Sequence, residues 1–470
     1  MKTWLATTWD QWRSSFWFLP ALLMLLALGL GFVMPLVDGH VVLERSQGIV
    51  PAWIVTTAPA ARATLAALAG ALITVASVVF SVTMVTLSLT TSNYGSRLLR
   101  SFLNLNITQV TMGSFLAASL YCVLILKAVR TIDGTAFVPH LSVALGVVWA
   151  VFATGIFIAF IHTVATSVQA QNVVRAVAVE LDEVIDRLYP EQRSTRAAAD
   201  KSRQTADTIA AEDHRSPPQG SDDIDQAANV HEIVSQQNGY LVAVDEETLL
   251  KVATEFDGVL RMERRAGHFL VDGDLLATWQ QLSTATYDAQ EITDRVNRAL
   301  VTGPRRMPRQ DVECAILELV EVAVRALSPG INDPFTAIAC IDYLGNSLAK
   351  LALRPPPETV LPDPDGQVRV LLSFPEFPRV MDAAFRLIRQ FGEDSPAILI
   401  RLLESLRSVA ARVQTPGDRE AVLEQVEIVR RTGERCVSEP SDLADITQVA
   451  NEVTRELGGE VRACVCPTAS

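Results

Sequence analysis

The 470-residue chain carries 53 Asp and Glu against 40 Lys and Arg, a net charge of −13 at pH 7. That acidic balance excludes general nucleic-acid binding, which depends on Lys and Arg neutralising phosphates. Its 49% apolar content is ordinary, but the apolar residues are gathered so unevenly that a wholly soluble protein is excluded as well.

No charged residue occurs between Arg13 and Asp38, between Arg62 and Arg97, between Arg100 and Lys127, or between Asp133 and Arg175. A helix rises ~1.5 Å per residue and the hydrocarbon core is ~30 Å thick, so about 20 such residues make one crossing. The first run predicts a helix over Phe16 to Val37. Trp4, Trp9, Trp12 and Trp17, with Lys2 and Arg13, form an interfacial anchor in front of it. The run is too long for a signal peptide and no small-residue cleavage site follows Pro35, so it reads as a retained helix. The second crossing lies within Ala63 to Thr91, the third within Ile107 to Leu126 and the fourth within Val138 to Ile161. Lys2, Arg13, Arg97, Arg100, Arg175 and Arg187 flank one side, and Arg45, Arg62, Lys127 and Arg130 the other. The bias places both termini in the cytoplasm and the loop from Asp38 to Ala61 outside.

After the fourth crossing, Val173, Val174, Val177, Leu181, Val184, Ile185 and Leu188 recur at helical spacing, predicting one helix from the membrane to Tyr189, ended by Pro190. From Glu191 to Ala228 large apolar residues are almost absent, the mark of a flexible linker. Tyr240 to Val244 reads as a strand, Asp245 as the cap of a helix through Phe256, and Val259–Met262, His268–Val271 and Leu275–Trp279 as short strands. The cadence of Arg261 to Ala277 is similar to small barrel-sandwich modules of the biotinyl/lipoyl type, but no lysine stands at a matching hairpin tip. Beyond Tyr287 the pattern is helical. Val312, Ile316, Leu319, Ala323 and Leu327 form one apolar stripe, and further helices cover Pro334–Leu353, Arg379–Phe391, Ser395–Val413 and Arg419–Thr432. The prolines of Arg354 to Pro364 mark a loop. The fold class expected is an α-helical integral membrane protein with four transmembrane helices and an α+β, mainly helical, cytoplasmic domain. Its parts are a transmembrane domain over 1–165, an amphipathic connecting helix over 166–190, a linker over 191–228, a β-rich module over 229–285, a helical region over 286–455 and a disordered tail over 456–470.

The second span is rich in hydroxyls, and at 100° per residue Thr74, Ser77, Ser81 and Ser88 share a face. Ala66, Gly70, Thr74, Ser77 and Ser81 also approximate a small-residue seam. Two uses fit: close helix packing with the hydroxyls bonded to the preceding turn, or the lining of a water-filled path without fixed charge. Arg97 and Arg100, between the second and third spans, suit a short interfacial helix whose cations meet lipid phosphates. The span interiors hold no Asp, Glu, Lys or Arg, which argues against a proton- or ion-coupled pump. In Ser328-Pro-Gly-Ile-Asn-Asp-Pro334, Gly330 can end one helix, Asn332 or Asp333 can cap the next, and Pro334 suits its first turn. The six cysteines show no metal-ligand or disulfide spacing, and no catalytic motif is present. Neither an enzyme, a cofactor nor a metal is expected.

Phe16-Trp-Phe-Leu-Pro20, Gly70 to Ser81, Arg97-Leu-Leu-Arg-Ser-Phe102 and Ala326-Leu-Ser-Pro-Gly-Ile-Asn-Asp-Pro334, in that order, resemble the bacterial predicted-membrane-protein family called domain of unknown function 2254. The resemblance spans nearly the whole chain, with Leu327 to Pro334 its most specific part. It implies an inner-membrane protein with a cytoplasmic carboxy-terminal region and carries over no catalytic or binding residue. The linker over 191–228 is longer than the pattern needs. Two functional readings follow. One is an oligomeric channel or channel-like transporter of the cytoplasmic membrane, a homo-oligomer in the lipid bilayer passing an ion or small solute beside the second span. The other is a non-conducting scaffold or sensor whose cytoplasmic domain binds a partner.

Overall fold

The computed structural model describes residues 17–43, 57–94, 106–132, 135–167, 169–190, 230–283 and 288–458. The chain divides into two compact units, Met1–Val173 and Val174–Ser470. The expected amino-terminal indoles before Trp17, the pair Arg97 and Arg100, the linker over 191–228 and most of the expected tail lie outside the described residues.

In the first unit, α1 (Phe18–Leu43), α2 (Ala58–Tyr94), α3 (Asn106–Ala128) and α4 (His140–Ser167) are each long and apolar enough to cross a membrane. A two-stranded hairpin, β1 (Arg130–Ile132) and β2 (Thr135–Phe137), joins α3 to α4. α3 is the hub, packed against α1, α2 and α4. In its most apolar stretch 67% is buried, against 17% to 22% for the other three helices. Leu65, Ala69, Leu72 and Ala76 of α2 meet Phe115, Ala118, Tyr121 and Ile125 of α3 in one core with Ala150 and Ala153 of α4. Small side chains on both sides let the backbones approach. α1 comes so near α3 that a Cβ on Gly113 would lie 2.8 Å from the Pro20 Cα, so only glycine fits there.

The helix expected to run unbroken from the fourth span to Tyr189 is two helices. α4 ends at Ser167 and α5 (Ala170–Leu188) begins three residues on. Asn172 bridges the break, its amide donating to the Thr166 carbonyl at 2.8 Å. Competition from this side-chain bond and from Gln169, whose N–H reaches Thr166 O instead of continuing the regular ladder, is what apolar spacing alone does not reveal.

In the second unit, β3 (Val230–Val234), β4 (Gly239–Val244), α6 (Glu246–Glu255), β5 (Gly258–Met262), β6 (Phe269–Leu270), β7 (Leu275–Gln281), α7 (Ala289–Arg298) and β8 (Leu300–Gly303) precede the long helices. Those are α8 (Val312–Ala326), α9 (Pro334–Ala352), α10 (Phe377–Phe391), α11 (Pro396–Ala410), α12 (Pro416–Cys436) and α13 (Pro440–Glu456). Between α9 and α10 come β9 (Val360–Pro362) and β10 (Val368–Leu371). One five-stranded sheet runs β3-β7-β5-β10-β9 and a second, three-stranded sheet runs β6-β4-β8. The β region therefore does not close at residue 285. β10 pairs in parallel with β5, Val370 opposite Leu260, and β8 pairs with β4. The stretch from Arg261 to Ala277 feeds both sheets rather than a self-contained barrel-sandwich, and the proline-rich loop before Pro364 contains β9 at a sheet edge, where a missing N–H is tolerated. Trp279, Leu241, Leu260, Ile292 and Val370 fill the core between these strands and α6 and α7. Aspartates start four helices by accepting from backbone N–H groups of the first turn: Asp245, Asp288, Asp311 and Asp333.

Candidate functional site

On α2 the hydroxyl face points away from the bundle. Thr74, Ser77, Ser81 and Ser88 are all exposed, and a Cβ on Gly70 would meet only open space. The packed face is a different small-residue stripe, Ala61, Leu65, Ala69, Leu72, Ala76 and Val79. Thr74 Oγ1 donates to the Gly70 carbonyl at 2.8 Å and Ser77 Oγ to the Ile73 carbonyl at 3.0 Å, so both hydroxyls are satisfied within their own helix. Among the described residues the expected seam thus makes no close contact. It is a polar stripe of the bundle's outer surface.

One set of buried polar groups in the bundle lies on α3 instead. Thr108, Gln109, Thr111, Ser114 and Ser119 are buried. Ser119 Oγ donates to the Ala69 carbonyl of α2 at 3.0 Å, and Trp149 Nε1 of α4 donates to Ser114 Oγ at 3.3 Å. These bonds tie three helices together in surroundings that are otherwise apolar.

A second cluster was missed by sequence reasoning. Asp38, near the end of α1, is 2% exposed. Its carboxylate accepts from Leu141 N at 3.0 Å, from Ser142 N at 2.9 Å and from Ser142 Oγ at 2.5 Å. It thereby caps the first turn of α4 from another helix, with the charge complementing the positive end of the helix dipole. Tyr121 of α3 donates to the Ser142 carbonyl at 3.0 Å, and Arg62 of α2 donates to the Val129 carbonyl at 3.1 Å. One end of the bundle is pinned by polar bonds that engage all four helices. The signal for it was an absence: Val138-Pro139 before α4 offers no Ser, Thr, Asp or Asn of its own to cap that helix.

The Ser328–Pro334 turn is a helix connection throughout. α8 is capped by Leu327, the Asp333 carboxylate accepts from Thr336 N at 3.1 Å, and Asp333 N donates to the Ala326 carbonyl at 2.8 Å. The left-handed residue that reverses the chain is Asn332, with φ of 50°, and not Gly330. Asn can hold this conformation because its short polar side chain bears it with little strain. Asp333 occupies the amino terminus of α9 that an anion would otherwise use. Among the described residues, no three His, Cys, Asp or Glu side chains gather to hold a metal ion.

A family model described as "Predicted membrane protein (DUF2254)" matches residues 13–408. Uncharacterized proteins of Mycobacterium bovis and Mycobacterium tuberculosis are 27% identical over 448 residues, covering 95% of this chain and 81% of theirs. No solved structure matches the chain. By the extent of the family match, the chain belongs to DUF2254, a family of predicted membrane proteins.

Proposed function

We propose that the protein is a multi-pass protein of the bacterial cytoplasmic membrane, with both termini in the cytoplasm, that self-associates along α2 and conducts an ion or small solute beside it. The observation that carries this reading is the outward face of Thr74, Ser77, Ser81 and Ser88, which the other described residues leave uncovered. The centre of the bundle is filled by the α3 core, so a water path belongs between copies and not within one. Hydroxyls suit such a path because they hydrate a permeant species without trapping it. The lack of Asp, Glu, Lys or Arg in the span interiors favours passive conduction over proton coupling. The excess of basic residues on the flanks shared with the termini supports the orientation.

A second reading, a non-conducting scaffold or sensor whose cytoplasmic unit binds a partner, is favoured by one observation. The Thr74 and Ser77 hydroxyls are already bonded to their own helix, and so require neither water nor a partner. Flux through purified protein in liposomes separates the two. Conduction that is lost in Ser77→Leu or Ser81→Leu, with oligomer size unchanged, supports the path. Intact oligomers that pass no common ion or small solute would favour the scaffold.

A further inference from the structure

Two arginine-rich loops far apart in sequence meet on the second unit. Arg261-Met-Glu-Arg-Arg265 ends β5 and enters the loop before β6, and Arg305-Arg-Met-Pro-Arg309 follows β8. β4 pairs with both β6 and β8, which brings the loops together. A Cβ on Gly267 would lie 2.3 Å from the Asp311 carboxylate and 2.9 Å from the Arg306 guanidinium. α10 adds Arg379 from its first turn, and the residue before that helix, Glu376, makes no side-chain capping bond to it.

At the centre sits Glu313, whose side chain is 9% exposed. It accepts from Arg265 at 2.9 Å and from Arg379 at 2.6 Å, and lies 3.4 Å from Arg306, which also forks onto Asp311 at 2.7 and 2.9 Å. Burial pushes the Glu313 carboxyl up, but the three guanidiniums hold it below its usual range. A buried carboxylate that gathers three guanidiniums acts as a template: it fixes their positions and leaves most of their N–H donors uncommitted. Each guanidinium has five such donors. Arg379 uses only its Nε on Glu313, and its side chain is 60% exposed. Beside the cluster, His268 Nδ1 is buried without a hydrogen-bond partner.

The local charge balance points the same way. Three arginines, Arg265, Arg306 and Arg379, converge there on two carboxylates, Asp311 and Glu313. This is a cationic corner in a chain of net charge −13. An ion-pair network that served only to hold loops together would need no such excess. The acidic remainder of the chain repels extended polyanions and anionic bilayer surfaces, and Arg265 and Arg306 are recessed, with side chains 15% and 20% exposed. A compact ligand reaches them more readily than a flat headgroup layer does. Planar guanidiniums beside a helix amino terminus select phosphate oxygens, since the forked donors match them and the dipole adds to the attraction.

We propose that this corner, formed by Arg265, Arg306 and Arg379 around Glu313, with Arg305 and Arg309 exposed on the same loop as Arg306, is a binding site for a small soluble phosphate compound carrying two or more phosphates. The site is independent of whether the chain conducts.

The test uses the full-length protein in nanodiscs of zwitterionic lipid, with inorganic pyrophosphate as the probe, read by calorimetric titration and by melting temperature. Pyrophosphate should bind the wild type and raise its melting temperature. Arg379→Gln should weaken binding about tenfold or more, the loss expected for one charge-assisted hydrogen bond. Arg305→Gln, at an exposed position, serves as the variant least able to disturb folding. Weaker binding in either variant, with ligand-free melting unchanged, supports the site. No binding at millimolar pyrophosphate, binding unchanged in both variants, or binding that appears only when the discs contain anionic phospholipid would overturn it.

Discussion

Replacing Asp38 by alanine should loosen the whole apolar bundle, because one carboxylate closes the start of α4 from α1. The substitution removes the acceptor of the Leu141 and Ser142 amides and of the Ser142 hydroxyl, at a position only 2% exposed. A buried donor left without a partner costs ~1–3 kcal/mol, and loss of an ordinary N-cap costs ~0.5–2 kcal/mol. With two amides orphaned and some relaxation of the turn, a total of about 3 kcal/mol is expected from these terms. In a unit of this size that corresponds to a fall in melting temperature of roughly 6–12 °C. Asp38→Asn keeps one acceptor oxygen but turns its NH2 towards a donor, and should fall between. Ser142→Ala removes the hydroxyl alone and should cost about 1 kcal/mol. Because Asp38 and Ser142 share one interaction, the double variant Asp38→Ala/Ser142→Ala should melt no lower than Asp38→Ala by itself. Thermal unfolding of the purified full-length protein in detergent, followed by circular dichroism, measures all four. Melting of Asp38→Ala within about 2 °C of wild type would refute the reasoning, since that shift is below what even one orphaned amide should produce.

The Ser328–Pro334 turn separates two residues that look alike in sequence. Asn332→Val, forced to a φ of 50°, should destabilise by about 1–2 kcal/mol, and Asn332→Gly should be nearly neutral in the same denaturation assay. Gly330→Ala should be neutral or slightly stabilising, since nothing lies within 4 Å of the added methyl group. His268 makes a pH prediction. Burial first, then Arg265, Arg264 and Arg379, hold its pKa below the ordinary 6.5. The unfolded chain therefore takes up a proton that the folded chain refuses, so this contribution to stability is complete above pH 6.5 and is lost as the pH falls below it. Denaturation midpoints at pH 7.5 and 5.5 should diverge more for wild type than for His268→Gln, and equal divergence would exclude this role.

What the sequence revealed and what it hid divide along physical lines. The four apolar helices were legible because each leaves a long run without charge, and the starts of α6 and α9 because Asp245 and Asp333 stand at their caps. β9 and β10 were not legible. β10 finds its partner in β5, a parallel neighbour from a distant stretch of chain, and the prolines around β9 read as a loop. The arginine corner was hidden for the same reason. Arg265, Arg306, Glu313 and Arg379 belong to separate segments whose meeting depends on the pairing of β4 with β6 and β8.

The inversion between α2 and α3 teaches something more general about polar residues in apolar helices. Sequence drew attention to α2 by its hydroxyl count, yet α3 is the buried helix and the least apolar of the four. Serine and threonine can bond the carbonyl one turn back, as Thr74 and Ser77 do, so their presence does not say which way a face points. Glutamine and aspartate lack that easy local solution and must find partners on another element. Gln109 and Asp38 are accordingly buried. An outward hydroxyl stripe therefore carries little penalty in apolar surroundings, and Ser77 and Ser81 are where flux and oligomer measurements test α2 as a conducting or assembling face. The inner face of such a bundle is marked instead by the few polar residues that cannot satisfy themselves.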